Sequence, residues 1–138
     1  YPVARETVLS MAKTLNKNLV VLAGDTHNAW ASDLADLQGN AVGVEFATPS
    51  VSSPGFETIF PNEPPLAFAG ALQQLIGPLV YTDTSRRGFM LITATRSELQ
   101  AQWTYVDTVT SRQYQTAQGP TLRTLPGAAG RRIVSDAA

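Results

Sequence analysis

Asp25, Thr26, His27 and Asn28 follow one another directly after the apolar run Leu19-Val20-Val21-Leu22-Ala23 and a glycine, Gly24. A carboxylate is a hard oxygen ligand, and a neutral imidazole binds borderline metals such as iron or zinc. One intervening residue lets Asp25 and His27 turn toward a shared site, and Gly24 permits a tight turn that a side chain would block. An Asp that bridges metals and a His on one of them are the equipment of a binuclear hydrolase. Two metals about 3.5–4 Å apart clamp the attacking and leaving oxygens of a phosphoryl transfer. The same residues admit plainer roles. Asp25 can cap the following segment by accepting backbone N–H bonds, and His27 can be a partly buried histidine with satisfied nitrogens. Two ligands also do not close a catalytic site, which takes at least three protein ligands per metal. His27 is the only histidine, and the remaining acids are scattered.

Glu45 is the other carboxylate of interest, flanked by Val44 and Phe46. It could stand behind His27 as a hydrogen-bond partner, or form a salt bridge or a solvated edge. Ser50, Ser52 and Ser53 lie among prolines. A serine nucleophile needs a base, His27 is the one available, and no G-x-S-x-G elbow surrounds these serines.

The elements that must position these residues alternate between helix and strand. Residues 4–16 have helical spacing, with Val8, Met11, Ala12 and Leu15 on one apolar stripe. Asn16-Lys17-Asn18 breaks the pattern, and the run 19–23 predicts a strand buried on both faces. In an open α/β sheet, chemistry sits at the carboxyl ends of strands, which is where Asp25 and His27 fall. Residues 29–37, with Trp30, Leu34 and Leu37, read as a short helix or irregular segment. Ala41–Ala47 alternates, with Val42, Val44 and Phe46 on one face, and predicts a strand. A proline- and hydroxyl-rich loop follows to about Pro65. Residues 66–76 have helical spacing and end at Gly77-Pro78.

The last third reads as β. Leu79–Tyr81 is a short strand. Phe89–Ile92 is apolar on both faces and therefore central. Leu99–Tyr105 alternates, and a tight turn at Arg96-Ser97 joins the two in a hairpin. From Ser111 the chain is polar and rich in Gly and Pro, and Gly127–Ala138 reads as a frayed tail.

Composition sets bounds. The chain has 138 residues, 43% of them hydrophobic, and a formal net charge of −1 from 10 basic and 11 acidic residues. That balance gives no reason to expect a nucleic-acid-binding surface or an anionic membrane as partner. Arg86-Arg87 and Arg131-Arg132, the only basic pairs, read as solvated. There is no cysteine, which rules out disulfides, thiolate nucleophiles and Cys-zinc sites in this chain. No apolar run approaches the roughly 20 residues that span a bilayer.

The run Val21-Leu22-Ala23-Gly24-Asp25-Thr26-His27-Asn28-Ala29-Trp30-Ala31-Ser32-Asp33-Leu34 resembles the C-terminal part of the alkaline phosphatase D family, the PhoD-like metallophosphatases. The block Val44–Gly55 is similar to the family's next signature at the right distance. Arg87-Gly88-Phe89, the hairpin ending Tyr105-Val106-Asp107, and Tyr1–Arg5 match further segments. The resemblance spans residues 1–123, leaving 124–138 as a flexible tail.

It implies an α/β (α+β layered) fold, the C-terminal portion of a calcineurin-like β-sandwich flanked by helices. It implies hydrolysis of phosphate esters by metal-activated water or hydroxide, with iron and calcium ions as cofactors, and a periplasmic or secreted protein. On that basis His27 is an iron ligand and Asp25 a calcium ligand, with Asn28 and Glu45 behind them or on the substrate side. The family's other ligands, among them a bridging Asp, a Tyr and a Cys, lie in an N-terminal portion. The chain opens on Tyr1-Pro2, so it is expected to be a fragment, inactive alone, partnered by that missing portion and prone to self-association. The rival expectation is a truncated paralogue that acts as an interaction module.

Overall fold

The computed structural model describes residues 1–135. The element order is α1 (Pro2–Thr14), β1 (Leu19–Ala23), β2 (Ala29–Ala35), β3 (Ala41–Ala47), α2 (Pro65–Leu75), β4 (Leu79–Asp83), β5 (Arg87–Ala94), β6 (Leu99–Val106), β7 (Thr116–Thr124) and β8 (Val134–Ser135), with 3-10 turns at Phe56–Thr58 and Ala128–Gly130. The strands form two four-stranded sheets, β1-β3-β2-β4 and β5-β6-β7-β8. The core between them joins Ala29, Ala31, Val44 and Phe46 of the first sheet to Ala101, Trp103, Tyr105 and Leu122 of the second. α1 covers the other face of the first sheet, where Leu9 packs with Leu34 and Val42. Two sheets flanked by helices are the layered α/β arrangement expected from the sequence.

α1 begins on Pro2, where the missing N–H costs nothing. It ends in a Schellman motif. Asn16 adopts a left-handed φ of 51°, its N–H bonds to the Lys13 carbonyl, and that of Lys17 bonds to Ala12. The apolar stripe assigned from spacing is not the buried one. Val8, Met11 and Leu15 are exposed, while Leu9 and, in part, Ala12 face the sheet.

Three strand assignments are corrected by the topology. β1 lies at the edge of its sheet and has no fully buried residue; Leu22 is 56% exposed. β5 is likewise an edge strand, with Phe89 and Leu91 turned outward and Met90 and Ile92 inward. Residues 29–35 form strand β2, not a helix, because they pair on both sides with β3 and β4. Register shifts between Ala31 and Ser32 and between Leu34 and Ala35 break the period of two, so the apolar spacing looks helical. The second shift leaves Val42 without a cross-strand partner. It turns to the α1 side, away from Val44 and Phe46.

The stretch expected as a tail from residue 124 carries structure. Thr124 ends β7, and β8 pairs with it at Leu122↔Ser135 and Arg123↔Val134. Arg131 is buried, and its Nη2 donates to Asn16 Oδ1 at 2.5 Å. Gly and Pro content misled the assignment, because backbone pairing onto a sheet edge does not require an apolar sequence. Residues 136–138 of that stretch lie outside the described residues.

Asp36 closes the β2–β3 connection. Its carboxylate accepts bonds from the N–H groups of Gln38 and Asn40, from the Asn40 amide, and from Lys13 Nζ at 2.6 Å. The Lys13 ammonium first, and then the Asn40 amide, hold this carboxyl far below the usual carboxylate range. A depressed folded pKa stabilises the fold above the unfolded value and loses that contribution as pH falls. The urea midpoint is therefore expected to drop between about pH 4 and pH 2, with a shallower drop in Asp36→Asn. An identical acid slope in wild type and variant would exclude the contribution.

Candidate functional site

Three loops meet at one end of the first sheet. β1 and β3 run parallel, with Ala23 opposite Ala47, so both carboxyl ends point the same way. β3 and β4 are each antiparallel to β2, and the last residue of β4, Asp83, stands opposite the first of β2, Ala29. The Gly24–Asn28 turn, the loop after Thr48 and the Thr84–Arg86 connection therefore leave the sheet side by side. The Thr48 N–H donates to the Ala23 carbonyl at 2.9 Å and ties the first two together. A Cβ on Gly24 would sit 3.2 Å from Thr48 Cγ2, so glycine is favoured by this close approach. The left-handed residue of the turn is His27 itself, at φ 59°.

His27 is exposed, and its backbone and ring are both tethered. Its N–H reaches the Gly24 carbonyl at 3.2 Å. Its carbonyl accepts from Arg87 Nη1 at 2.9 Å and from the Ser50 N–H at 3.4 Å. Its Nδ1 lies 3.1 Å from the Pro54 carbonyl oxygen. A carbonyl only accepts, so in the neutral ring this bond puts the proton on Nδ1 and leaves the lone pair on Nε2. That is the form in which an imidazole ligates a metal. Asp25, two residues away, is also exposed, and no bond from its carboxylate occurs among the described residues.

Asn28 and Glu45 take separate positions. Asn28 is fully buried. Its amide donates to the Thr26 carbonyl at 2.6 Å, and its Oδ1 accepts from the Phe56 N–H at 3.1 Å. Its polar atoms are thus committed to the loop backbone. Glu45 sits in mid-β3 and lines a shallow pocket with Asp25, Thr26, Trp30 and Ser32. The partner of His27 Nδ1 is the Pro54 carbonyl, in the place where Glu45 was considered. The serines act within the loop, where Ser50 Oγ accepts from the N–H groups of Ser52 and Ser53. Among the described residues no group of three or more His, Cys, Asp or Glu side chains could hold a metal together. Asp25 and His27 are two exposed donors in one turn, short of a complete ligand set.

Two charged residues at this end escaped the sequence reading. Arg87, expected to be solvated, is only 7% exposed, and its Nη2 pairs with Glu57 Oε1. Glu57 in turn accepts from the Gly55 N–H at 3.1 and 3.2 Å. Burial opposes ionisation of Glu57, but the Arg87 guanidinium and the Gly55 N–H outweigh it and hold the carboxyl below its usual range. The preceding loop is fixed by Asp83, whose Oδ1 accepts from the N–H groups of Ser85 and Arg86 and whose Oδ2 accepts from Arg86 Nε at 2.6 Å. Beneath the 3-10 turn, Phe56 packs edge-on against Trp30, Phe60 and Phe68, with centroids 6.0–6.2 Å apart.

With this geometry in place the comparisons with known proteins are decisive. A family model described as PhoD-like phosphatase matches residues 1–103. The chain belongs to the PhoD-like phosphatase family. Alkaline phosphatase D of Bacillus subtilis (strain 168) is 40% identical over 60 residues, which cover 40% of this chain and 10% of that protein. A solved structure described as "Structure of PhoD" matches 100% of this chain and 26% of its own chain, with a TM-score of 0.76 and 24% identity. The chain thus spans about a tenth of the curated relative and about a quarter of the solved one. The structural likeness confirms the mixed α/β, two-sheet fold of this PhoD-like chain. No helix among its described residues is long and apolar enough to cross a membrane.

Proposed function

We propose that this PhoD-like chain supplies one wall of the metal site of a phosphoesterase, and that the longer protein carrying it hydrolyses phosphomonoesters or phosphodiesters. The observation that carries the reading is the fixed imidazole. His27 is held with Nδ1 on the Pro54 carbonyl, so in the neutral ring Nε2 is left as a ligand, with the exposed carboxylate of Asp25 two residues away in the same turn. His27 would hold iron and Asp25 calcium, which is the assignment that ligand hardness favours. Cations held there supply positive charge against the phosphoryl oxygens and acidify water. The chain's own contribution is a neutral imidazole and a carboxylate, presented by a turn that Asn28 and Pro54 keep in place. A periplasmic or secreted location goes with this reading, since the family resemblance implies it.

Two donors are too few for the site, so the remaining ligands would come from the rest of the protein. The relatives' greater lengths support this. So do the exposed apolar faces: Val8, Met11 and Leu15 on α1, Leu22 on the β1 edge, and Phe89 and Leu91 on β5. Such faces are suited to contact with a missing portion, and in its absence they favour self-association.

The test is p-nitrophenyl phosphate hydrolysis with added iron and calcium, for the 138-residue chain and for the longer protein. The chain alone is expected to give no turnover, to bind the metals weakly and to elute above monomer size on gel filtration. The longer protein is expected to turn over. Robust turnover by the isolated chain would overturn the half-site reading. An inactive longer protein would favour the interaction module.

A further inference from the structure

We infer that the pair of buried Arg87 and half-buried Glu57 is the positioning element of the site, which clamps His27 at both ends and selects its Nδ1–H tautomer. The bonds close a ring. Arg87 Nη1 donates to the His27 carbonyl at 2.9 Å, and its Nη2 pairs with Glu57. Both Glu57 oxygens accept from the Gly55 N–H. The peptide bond from Gly55 leads back to the Pro54 carbonyl, which accepts from His27 Nδ1 at 3.1 Å. One guanidinium thus connects the backbone of the histidine to the group that orients its ring.

The energetics point the same way. A neutral imidazole free in water favours its proton on Nε2, so Nδ1–H must be enforced by a fixed acceptor. Holding a non-glycine residue at φ 59° also costs free energy. Withdrawing a guanidinium from water to pair with a half-buried carboxylate is a poor means of stabilising a fold, and this pair lies at the site. Arg87 uses both Nη groups twice, since Nη1 also reaches the Arg86 carbonyl at 3.3 Å and Nη2 the Ser85 carbonyl at 3.2 Å. A lysine point charge does not span four such acceptors. Gly55 is the close fit in the ring. A Cβ there would lie 2.3 Å from Asn28 Oδ1 and 3.0 Å from both Arg87 Nη2 and Glu57 Oε2.

The inference gains its purpose from the metal reading above, but it is tested without metal. The chain has a single histidine, so long-range 15N–1H correlation of the 15N-labelled, metal-free chain reports one imidazole. At a pH where the ring is neutral, wild type is expected to show a pyrrole-type Nδ1 and a pyridine-type Nε2. Arg87→Lys, Glu57→Gln and Gly55→Ala are each expected to move the tautomer toward Nε2–H while the amide spectrum of the two sheets is retained. Zinc added to wild type and variants is expected to bind the variants about 10–100-fold more weakly. A major Nε2–H tautomer in wild type, or an unchanged tautomer in folded variants, would overturn the inference. If Arg87→Lys unfolds, the near-isosteric Glu57→Gln decides. Unfolding of all three would also overturn it, because the pair would then hold the domain and not the imidazole. An intact Nδ1–H tautomer in wild type together with a longer protein that shows neither zinc binding nor turnover would count against the metal reading alone.

Discussion

Trp103→Ala is expected to lower the stability of the chain by about 3–5 kcal/mol, a large share of the roughly 5–15 kcal/mol typical of a domain. Trp103 is fully buried at the centre of the inter-sheet core. Its ring lies 5.1 Å from Tyr81 and 6.1 Å from Phe46, centroid to centroid. The methyl side chains of Ala29 and Ala31 on β2 and of Ala101 on β6 leave the space it fills. The ring also donates Nε1–H to the Ala47 carbonyl at 3.0 Å. That bond fixes the second sheet to the end of β3, one residue before the loop that holds His27. Trp103→Phe keeps much of the ring but loses the bond to Ala47 and part of the packed volume, for an expected cost of about 1–3 kcal/mol. Urea denaturation followed by circular dichroism reads both. A loss below about 1 kcal/mol for the alanine variant would show that the sheets are held elsewhere.

If the proposed metal site holds, His27→Gly in the longer protein is expected to reduce kcat/KM more than about 100-fold, because loss of an outer partner of a metal-bound histidine already costs about 10–100-fold. The same substitution in the 138-residue chain is expected to leave stability within about 1 kcal/mol of wild type. Two terms oppose each other. Glycine relieves the left-handed backbone, for a gain of about 1 kcal/mol, and the bond from Nδ1 to Pro54 is lost, for a similar cost. A near-normal fold with lost activity would mark His27 as kept for chemistry at the expense of a relaxed turn. Retained activity would remove His27 from the ligand set. Parallel loss of fold and activity would mean that the imidazole is a structural tether.

The sequence made some of this arrangement legible and concealed the rest for identifiable reasons. β3 and β6 read as strands because Val44 and Phe46 on the one, and Ala101, Trp103 and Tyr105 on the other, alternate onto the inter-sheet core. The runs Leu19–Ala23 and Phe89–Ile92 are equally apolar, yet they form sheet edges with Leu22, Phe89 and Leu91 exposed. An apolar run states what a strand is able to cover, not what lies beside it. The bulge that skips Val42 and the register shift after Ala31 hide β2, since pattern reading assumes an unbroken period. β7 is polar for most of its length and earns its place by backbone pairing with β6. At Gly119 a Cβ would stand 2.7 Å from the Tyr105 ring, so glycine there marks a close packing point.

At the site, Asp25 and His27 were visible because two chemically distinctive residues stand two apart after a strand. Arg87 and Glu57 were not. Their contacts with His27 and with each other cross 60 and 30 residues, and an adjacent Arg86 made Arg87 look like part of a solvated pair. Arg86 is indeed exposed, its guanidinium lying over the Tyr105 ring at 3.9 Å from the centroid. Two neighbouring arginines in a strand lead-in point to opposite sides, and one side here is the interior.

The two tryptophans also divide the molecule optically. Trp30 is half-buried at the start of β2 against the site loops, its Nε1–H donating to Thr26 Oγ1 at 2.7 Å and its ring edge-on to Phe56. Trp103 is sealed between the sheets. Release of the turn alone would redden the emission of Trp30 and leave that of Trp103 blue, whereas global unfolding would redden both. With Trp103→Phe and Trp30→Phe as single-emitter references, fluorescence can separate the free energy of opening the site from that of unfolding the sandwich.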